Sequence, residues 1–419
     1  MTAILDVAAL LLTAVAVLGF LNHRFAKLPP AIAMLTAGLL AGVAIVISDR
    51  LWPALAIAEH LAPLSGGVDF STLLMKGMLG FLLFAGSLTV DYQELRQHLR
   101  TVLVLATLGV LLSTFLVGAG AYFLFALVGI PVPFVYCLLF GALISPTDPV
   151  AVLALMEHLR VPRSFLVIFT GESLVNDGVG VVVFTVLLAV ATAPGSVSPA
   201  SVSLLLVREA LGGSLLGLAG GLVMYYAARR VNEPNLEVQI SVALVTALIA
   251  LAAHLHVSGP LACVMAGIFV GNRARRHAMR DATAEALDRI WSFADYVMNA
   301  VLFLLLGLQA ATFHIGSPVH AAMVLGMIVL VLAARFVSVA LPLPLVRGGG
   351  DTPQGTAPLL TWGGLRGGIS VALALSLPPF AGRDAVLNAT YAVVVFAILV
   401  QGSTVGRLAR RFSPEPRRT

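Results

Sequence analysis

The sequence is poor in charge. Only 11% of its 419 residues are Asp, Glu, Lys or Arg, whereas a water-soluble domain carries roughly 25%. That shortage excludes a chain bathed in water on all sides, and a hydrophobic content of 59% makes lipid the solvent for most of it. Cysteine is scarce as well. Cys137 and Cys263 both lie in apolar runs, which reads as packing by small residues and excludes a disulfide framework or a thiolate metal site. No long linker and no low-complexity tract interrupts the chain. Spans of ~20 residues each would fill it and leave no room for a large soluble domain. The net charge of +5 implies no nucleic-acid partner, because basic residues at span ends are topology signals.

Apolar runs separated by charged or Pro/Gly-rich gaps predict thirteen helices, at 4–22, 30–48, 71–90, 101–128, 133–155, 164–192, 200–228, 237–254, 258–271, 289–312, 318–345, 356–378 and 385–408. The first run has no basic residues before it and no small-residue cleavage site, and His23, Arg24 and Lys27 follow it. It is therefore expected to be a retained helix and not a signal peptide. Alternate gaps divide the basic residues unevenly. One set, from Arg24 and Lys27 through Arg160, Arg347, Arg417 and Arg418, holds nineteen of the 25 Lys and Arg; the opposite set holds Arg50 and Arg383 alone. Lys76, Arg208, Arg335 and Arg366 fall inside runs. The positive-inside rule then places the N-terminus outside and the C-terminus in the cytoplasm of a plasma membrane. Trp52, Trp291 and Tyr92 suit interfacial aromatic belts. Gly212, Gly213, Gly217, Gly220 and Gly221 suit close helix packing.

The expected fold class is an all-α polytopic membrane protein, with residues 1–419 forming one transmembrane domain. Repeat one covers about 4–192, a linker helix about 200–228 and repeat two about 237–408, leaving 409–419 as a short basic cytoplasmic tail. The division rests on two interruptions. The fifth run carries Ser145-Pro146-Thr147-Asp148-Pro149, and the twelfth carries Trp362-Gly363-Gly364-Leu365-Arg366-Gly367-Gly368. Each is the fifth run of its six-run half, and the odd linker gives the halves opposite topology. Broken helices matched across inverted repeats point to the binding site of a transporter.

Ionisable groups at mid-membrane cost several kcal/mol each, and few are present: Asp148, Glu172, Asp177, Arg335 and Arg366. In the sixth run, Gly171-Glu172-Ser173-Leu174-Val175-Asn176-Asp177-Gly178, helical spacing puts Glu172 with Asn176 and Ser173 with Asp177. Ser173, Asn176 and Asp177 offer a carboxylate and two neutral oxygens, the ligand type that hard cations take. A carboxylate in low dielectric also holds its proton more tightly. One carboxylate that accepts either a proton or a cation is the minimum device for exchanging them. Around Asp148, two prolines remove backbone donors and disfavour helix. They leave carbonyls and the Thr147 hydroxyl for a cation. Arg366, among four glycines, needs a buried anion, with Glu172 the first choice and Asp148 the second; Arg335 is expected to snorkel or cap broken-helix carbonyls in a structural role.

In these three motifs, in this order and spacing, the chain resembles the monovalent cation:proton antiporter-1 family, the NhaP-type and NHE-type sodium/proton exchangers. The resemblance implies that Asp177 is the ion- and proton-binding carboxylate, with Asn176, Ser173, Thr147 and Asp148 around it and Na+ held at Asp177, Ser173 and Thr147. It implies a structural ion pair between Glu172 and Arg366, supported by Arg335. It also implies electroneutral one-for-one exchange of Na+, with Li+ or K+ as alternatives, a role in pH homeostasis, a homodimer, and no cofactor beyond the transported Na+ and H+. One departure stands out. Some relatives place an acid in the third run, which here reads Phe84-Ala85-Gly86-Ser87-Leu88-Thr89-Val90 before Asp91. On the residues alone, two other functions compete: an intramembrane aspartyl hydrolase using Asp148 and Asp177, although neither Asp has a Tyr-Asp or Gly-x-Gly-Asp context, and a cation channel.

Overall fold

The computed structural model describes residues 2–51, 73–149, 152–153, 155–156, 159, 161–192, 199–231, 233–310, 318–346 and 355–412. Trp52, Arg160, Arg347, Arg417 and Arg418, and the side chains of Arg50 and Lys76, lie outside the described residues. The chain runs through α1 (Thr2–Leu21), α2 (Pro30–Leu51), α3 (Leu79–Leu88), α4 (Tyr92–Val104), α5 (Val110–Leu127), α6 (Phe134–Ile144), α7 (Arg163–Thr192) and α8 (Pro199–Ala228). It continues through α9 (Pro234–Leu255), α10 (Gly259–Phe269), α11 (Asp281–Ala310), α12 (Pro318–Ala340), α13 (Thr356–Gly363), α14 (Gly368–Leu375), α15 (Arg383–Phe396) and α16 (Gly402–Ala409). Single π-turns at Leu105–Gly109 and Ala397–Gln401 fuse α4 to α5 and α15 to α16.

Among the described residues, nine helices are long and apolar enough to cross a membrane, and α3 and α6 are shorter apolar helices. Each predicted run overlaps one or more of the helices α1 to α16. Local chemistry sets the starts. Asp91 caps α4 by accepting from the backbone N–H groups of Gln93 and Glu94. Glu233 does the same for α9, with Pro234 in the first turn, and Ser258 caps α10.

The distribution of side chains is inverted relative to a soluble protein. Leu5, Phe20, Phe123, Leu127, Leu215 and Val223 are exposed, while Glu172, Asn176, Arg335 and Arg366 are buried. Outward apolar faces meet lipid, and the polar groups meet one another. Close packing at the α8 glycines is present: a Cβ on Gly213 or Gly217 would run into the backbone carbonyl of Ser258 or Ala262 at the start of α10. Cys137 and Cys263 are buried free thiols. Trp291 corrects an expectation. It is 2% exposed, packs against Phe81 and Phe84, and donates its indole N–H to Ser241. It is a core residue because α11 begins at Asp281, well before the predicted start at 289, so Trp291 lies inside the helix and not at its end. Tyr92, by contrast, is exposed at a helix start.

Both predicted interruptions are real breaks. Helix α6 stops at Ile144. Helices α13 and α14 are separated by Gly364 to Gly367. The two unwound strands touch: Asp148 and Leu365 form an isolated antiparallel bridge, with the Asp148 N–H donating to the Leu365 carbonyl at 2.8 Å. Broken backbone survives at membrane depth only when protein groups satisfy it, and here each break supplies part of what the other lacks.

Candidate functional site

The crossing of the breaks is where the mid-span polar residues collect. The prolines at 146 and 149 stop α6, and its last carbonyls then lack helical donors. Arg366 supplies them, with Nη1 donating to the carbonyls of Ser145 (2.5 Å) and Pro146 (3.0 Å). A guanidinium at the negative C-terminal end of a helix is favourable on charge as well as on hydrogen bonding. Gly367 allows the breaks to approach, since a Cβ there would stand 2.7 Å from the Asp148 Cβ.

Helix α7 passes beside the first break and pins it. The Thr147 N–H donates to Asn176 Oδ1 at 3.2 Å, and Asn176 Nδ2 donates to Thr147 Oγ1 at 2.8 Å. The Ser173 hydroxyl donates to the Thr147 carbonyl and lies 3.2 Å from the Thr147 hydroxyl. Asn176 Nδ2 also donates to Glu172 Oε1 at 2.8 Å, the contact that four-residue spacing on one helix predicts.

Glu172 is 0% exposed and its charge is fully used. Arg335, on α12, grips it in two-pronged fashion, Nη1 to Oε1 and Nη2 to Oε2, both at 2.9 Å. Arg335 Nη2 also reaches the Leu360 carbonyl in α13 at 3.4 Å. The expected Glu172–Arg366 pair is thus corrected: the buried pair is Glu172–Arg335, and Arg366 caps the broken-helix carbonyls. The two arginines exchange the roles that the sequence suggested. The physical reason is placement. Arg366 lies in the unwound strand against the end of α6, whereas Arg335 projects from a continuous helix across to α7.

Asp177 differs from Glu172. It is 7% exposed, and its buried Oδ1 has no hydrogen-bond partner among the described residues. It borders a cavity of about 680 Å³ shared with Thr147, Asp148, Asp295 and Asn299. The third run contributes leucines, among them Leu79 and Leu83, together with Ala85, Gly86 and Thr89 to this wall, and no acid. Ser87 spends its hydroxyl on the Phe84 carbonyl. The outer lining includes Arg275 and Asp288, which pair at 2.7 Å and are each about two-fifths exposed.

The structure therefore brings Thr147, Asp148, Ser173, Asn176 and Asp177 together, places Arg366 behind them, and sets Glu172 with Arg335 to one side. Sequence reasoning missed the α11 wall. Its signal was present in the spacing of Asp288, Ser292, Asp295 and Asn299, but a helix taken to begin at 289 hides the first of these.

Membrane-crossing helices, two crossed helix breaks and a buried carboxylate opening on a cavity define a secondary transporter. The chain matches the family described as "Sodium/hydrogen exchanger, transmembrane" over residues 10–411. It is 40% identical over 412 residues to the Na(+)/H(+) antiporter NhaP of Pseudomonas aeruginosa, covering 97% of this chain and 96% of that one. It is 32% identical over 406 residues to the Na(+)/H(+) antiporter NhaH of Halobacillus dabanensis, covering 96% of each. Its fold is similar to that of the sodium proton antiporter MjNhaP1 from Methanocaldococcus jannaschii at pH 8, with a TM-score of 0.75, 20% identity and 99% of both chains covered. The chain belongs to the sodium/hydrogen exchanger family. That is a family of transporters, and membership in it sets the intramembrane hydrolase reading aside.

Proposed function

We propose that this protein exchanges Na+ for H+ across the plasma membrane, with Asp177 holding one or the other. The observation that carries the reading is the contrast at Asp177: a carboxylate oxygen buried with no hydrogen-bond partner among the described residues, on the edge of a cavity, beside hydroxyls already held in place. A proton neutralises that carboxylate directly. A desolvated sodium ion neutralises it with help from the Thr147 and Ser173 oxygens, in keeping with the preference of hard cations for oxygen ligands. Asp148, on the same cavity, favours cations over anions there.

Exchange is one for one in this reading. Glu172 is cancelled by Arg335, and Asn176 is neutral, so one carboxylate on α7 changes occupant in each half-cycle. The supporting architecture is two inverted repeats, about 4–192 and 237–408, joined by the linker helix at about 200–228. The crossed breaks and the alternation of basic gaps both support it, and the basic gaps favour an outside N-terminus and a cytoplasmic tail at 409–419. Two copies form the working unit, as the family resemblance implies.

The test uses purified protein in proteoliposomes with a trapped pH dye. Sodium added against an imposed pH gradient should collapse it, with no dependence on membrane voltage. Asp177→Asn should remove this response altogether. A voltage-dependent rate would overturn the one-for-one stoichiometry, and full exchange by Asp177→Asn would overturn the site.

A further inference from the structure

One wall of the cavity at Asp177 is a single helix face. On α11, Asp288, Ser292, Asp295 and Asn299 recur at intervals of four, three and four residues, which puts them on one stripe. All four line the cavity. Along the stripe the charge changes character. Asp288, toward the exposed end, is matched by Arg275 through two hydrogen bonds of 2.9 and 2.7 Å. Among the described residues Asp295 accepts only the neutral Asn299 Nδ2, at 3.0 Å, and forms no ion pair. Asn299 is 8% exposed, so the Asp295 carboxylate is oriented at the inner end of the stripe without being neutralised. The ligand type is set independently across the cavity, where Asp177 presents a buried carboxylate oxygen with no hydrogen-bond partner among the described residues.

We propose that Asp295 is a second cation station, which holds the incoming ion between the Arg275–Asp288 mouth and Asp177, with Asn299 as its positioning residue. The proposal rests on the reading of Asp177 as the exchange site. An ion moving from water to a buried carboxylate sheds its hydration in steps. A fixed anion part of the way along lowers the cost of the intermediate position and raises the local cation concentration. Because Asp295 touches the path and not the final site, its removal weakens capture more than turnover.

The experiment measures initial exchange rates against sodium concentration for wild type, Asp295→Asn, Asp295→Glu and Asp177→Asn in the same proteoliposome preparation. Loss of one carboxylate in a partly hydrated cavity should raise KM about three- to tenfold, with kcat changed by less than about twofold. Asp295→Glu should restore KM, and added choline chloride should narrow the gap between wild type and Asp295→Asn by screening. A wild-type KM in Asp295→Asn, or an equal loss in Asp295→Glu, overturns the station. A purely structural role would lower the melting temperature and kcat at constant KM, which also overturns it. If Asp295→Asn does not reach the membrane, Asn299→Ala carries the test: a KM raised about twofold or more, from the loss of one orienting hydrogen bond, supports the station, and an unchanged KM overturns it. Asp177→Asn separates the two readings. Exchange by that variant defeats the site itself, whereas its silence beside a wild-type Asp295→Asn defeats the station alone.

Discussion

Glu172 and Asp177 lie five residues apart on one helix, and both are buried, yet they are opposite kinds of carboxylate. Glu172 has two guanidinium hydrogen bonds and an amide donor. Asp177 has an oxygen with none among the described residues and a cavity in front of it. Burial alone therefore does not mark an exchange site. A buried acid whose charge is already matched holds helices together, and a buried acid left unmatched is free to take a proton or a cation from outside. By composition the two are mid-span acids of comparable cost; the motifs cast Asp177 as the exchange carboxylate and Glu172 as half of a buried pair, and the position of α12 decides which arginine completes that pair.

The sharpest way to break this comparison is to neutralise each acid in turn. Asp177→Asn should abolish exchange and leave the melting temperature in detergent unchanged or higher, because an unmatched buried charge has gone. Glu172→Gln should do the reverse in kind, lowering stability by about 3–5 kcal/mol, since it strands Arg335 in the interior. Replacing Glu172 and Arg335 together by apolar residues should cost less than the two single changes added, as pairs in contact couple. If Glu172→Gln melts like wild type, the pair does not carry the structural role assigned to it.

Arg366 sharpens the comparison at the next level down. Arg366→Ala removes charged hydrogen bonds to the Ser145 and Pro146 carbonyls and should cost about 2–3 kcal/mol, measured by thermal or denaturant melting in detergent. Unchanged stability would contradict the capping role. Smaller still is Gly367→Ala. Its Cβ would press on the Asp148 Cβ, and the breaks should part slightly, at about 1–3 kcal/mol with a reduced exchange rate. A variant with both values at wild type would show that the breaks need no such close approach.

Much of this was legible in the sequence. Apolar runs located the helices because lipid demands ~20-residue apolar spans, and the two breaks were visible as clusters of Pro and Gly in otherwise apolar runs. The Glu172–Asn176 contact followed from spacing within one helix. The partner of each arginine did not, because the spacing of residues within a helix says nothing about which other helix faces it. Trp291 was misplaced for a related reason. The charged start of α11, Asp281 to Arg289, reads as a gap, yet it is helical, and that error hid Asp288, the outer end of the polar stripe leading to Asp177.

The central claim is that Asp177 exchanges its proton for the cation while Glu172 does not take part. The most direct measurement is isothermal titration of the detergent-solubilised protein with sodium chloride in buffers of differing ionisation enthalpy, which counts the protons released. The account predicts about one proton released per sodium bound in wild type, as linkage between proton and cation at one carboxylate requires, and neither binding nor release in Asp177→Asn. Sodium binding without proton release, or release that survives in Asp177→Asn, would contradict it.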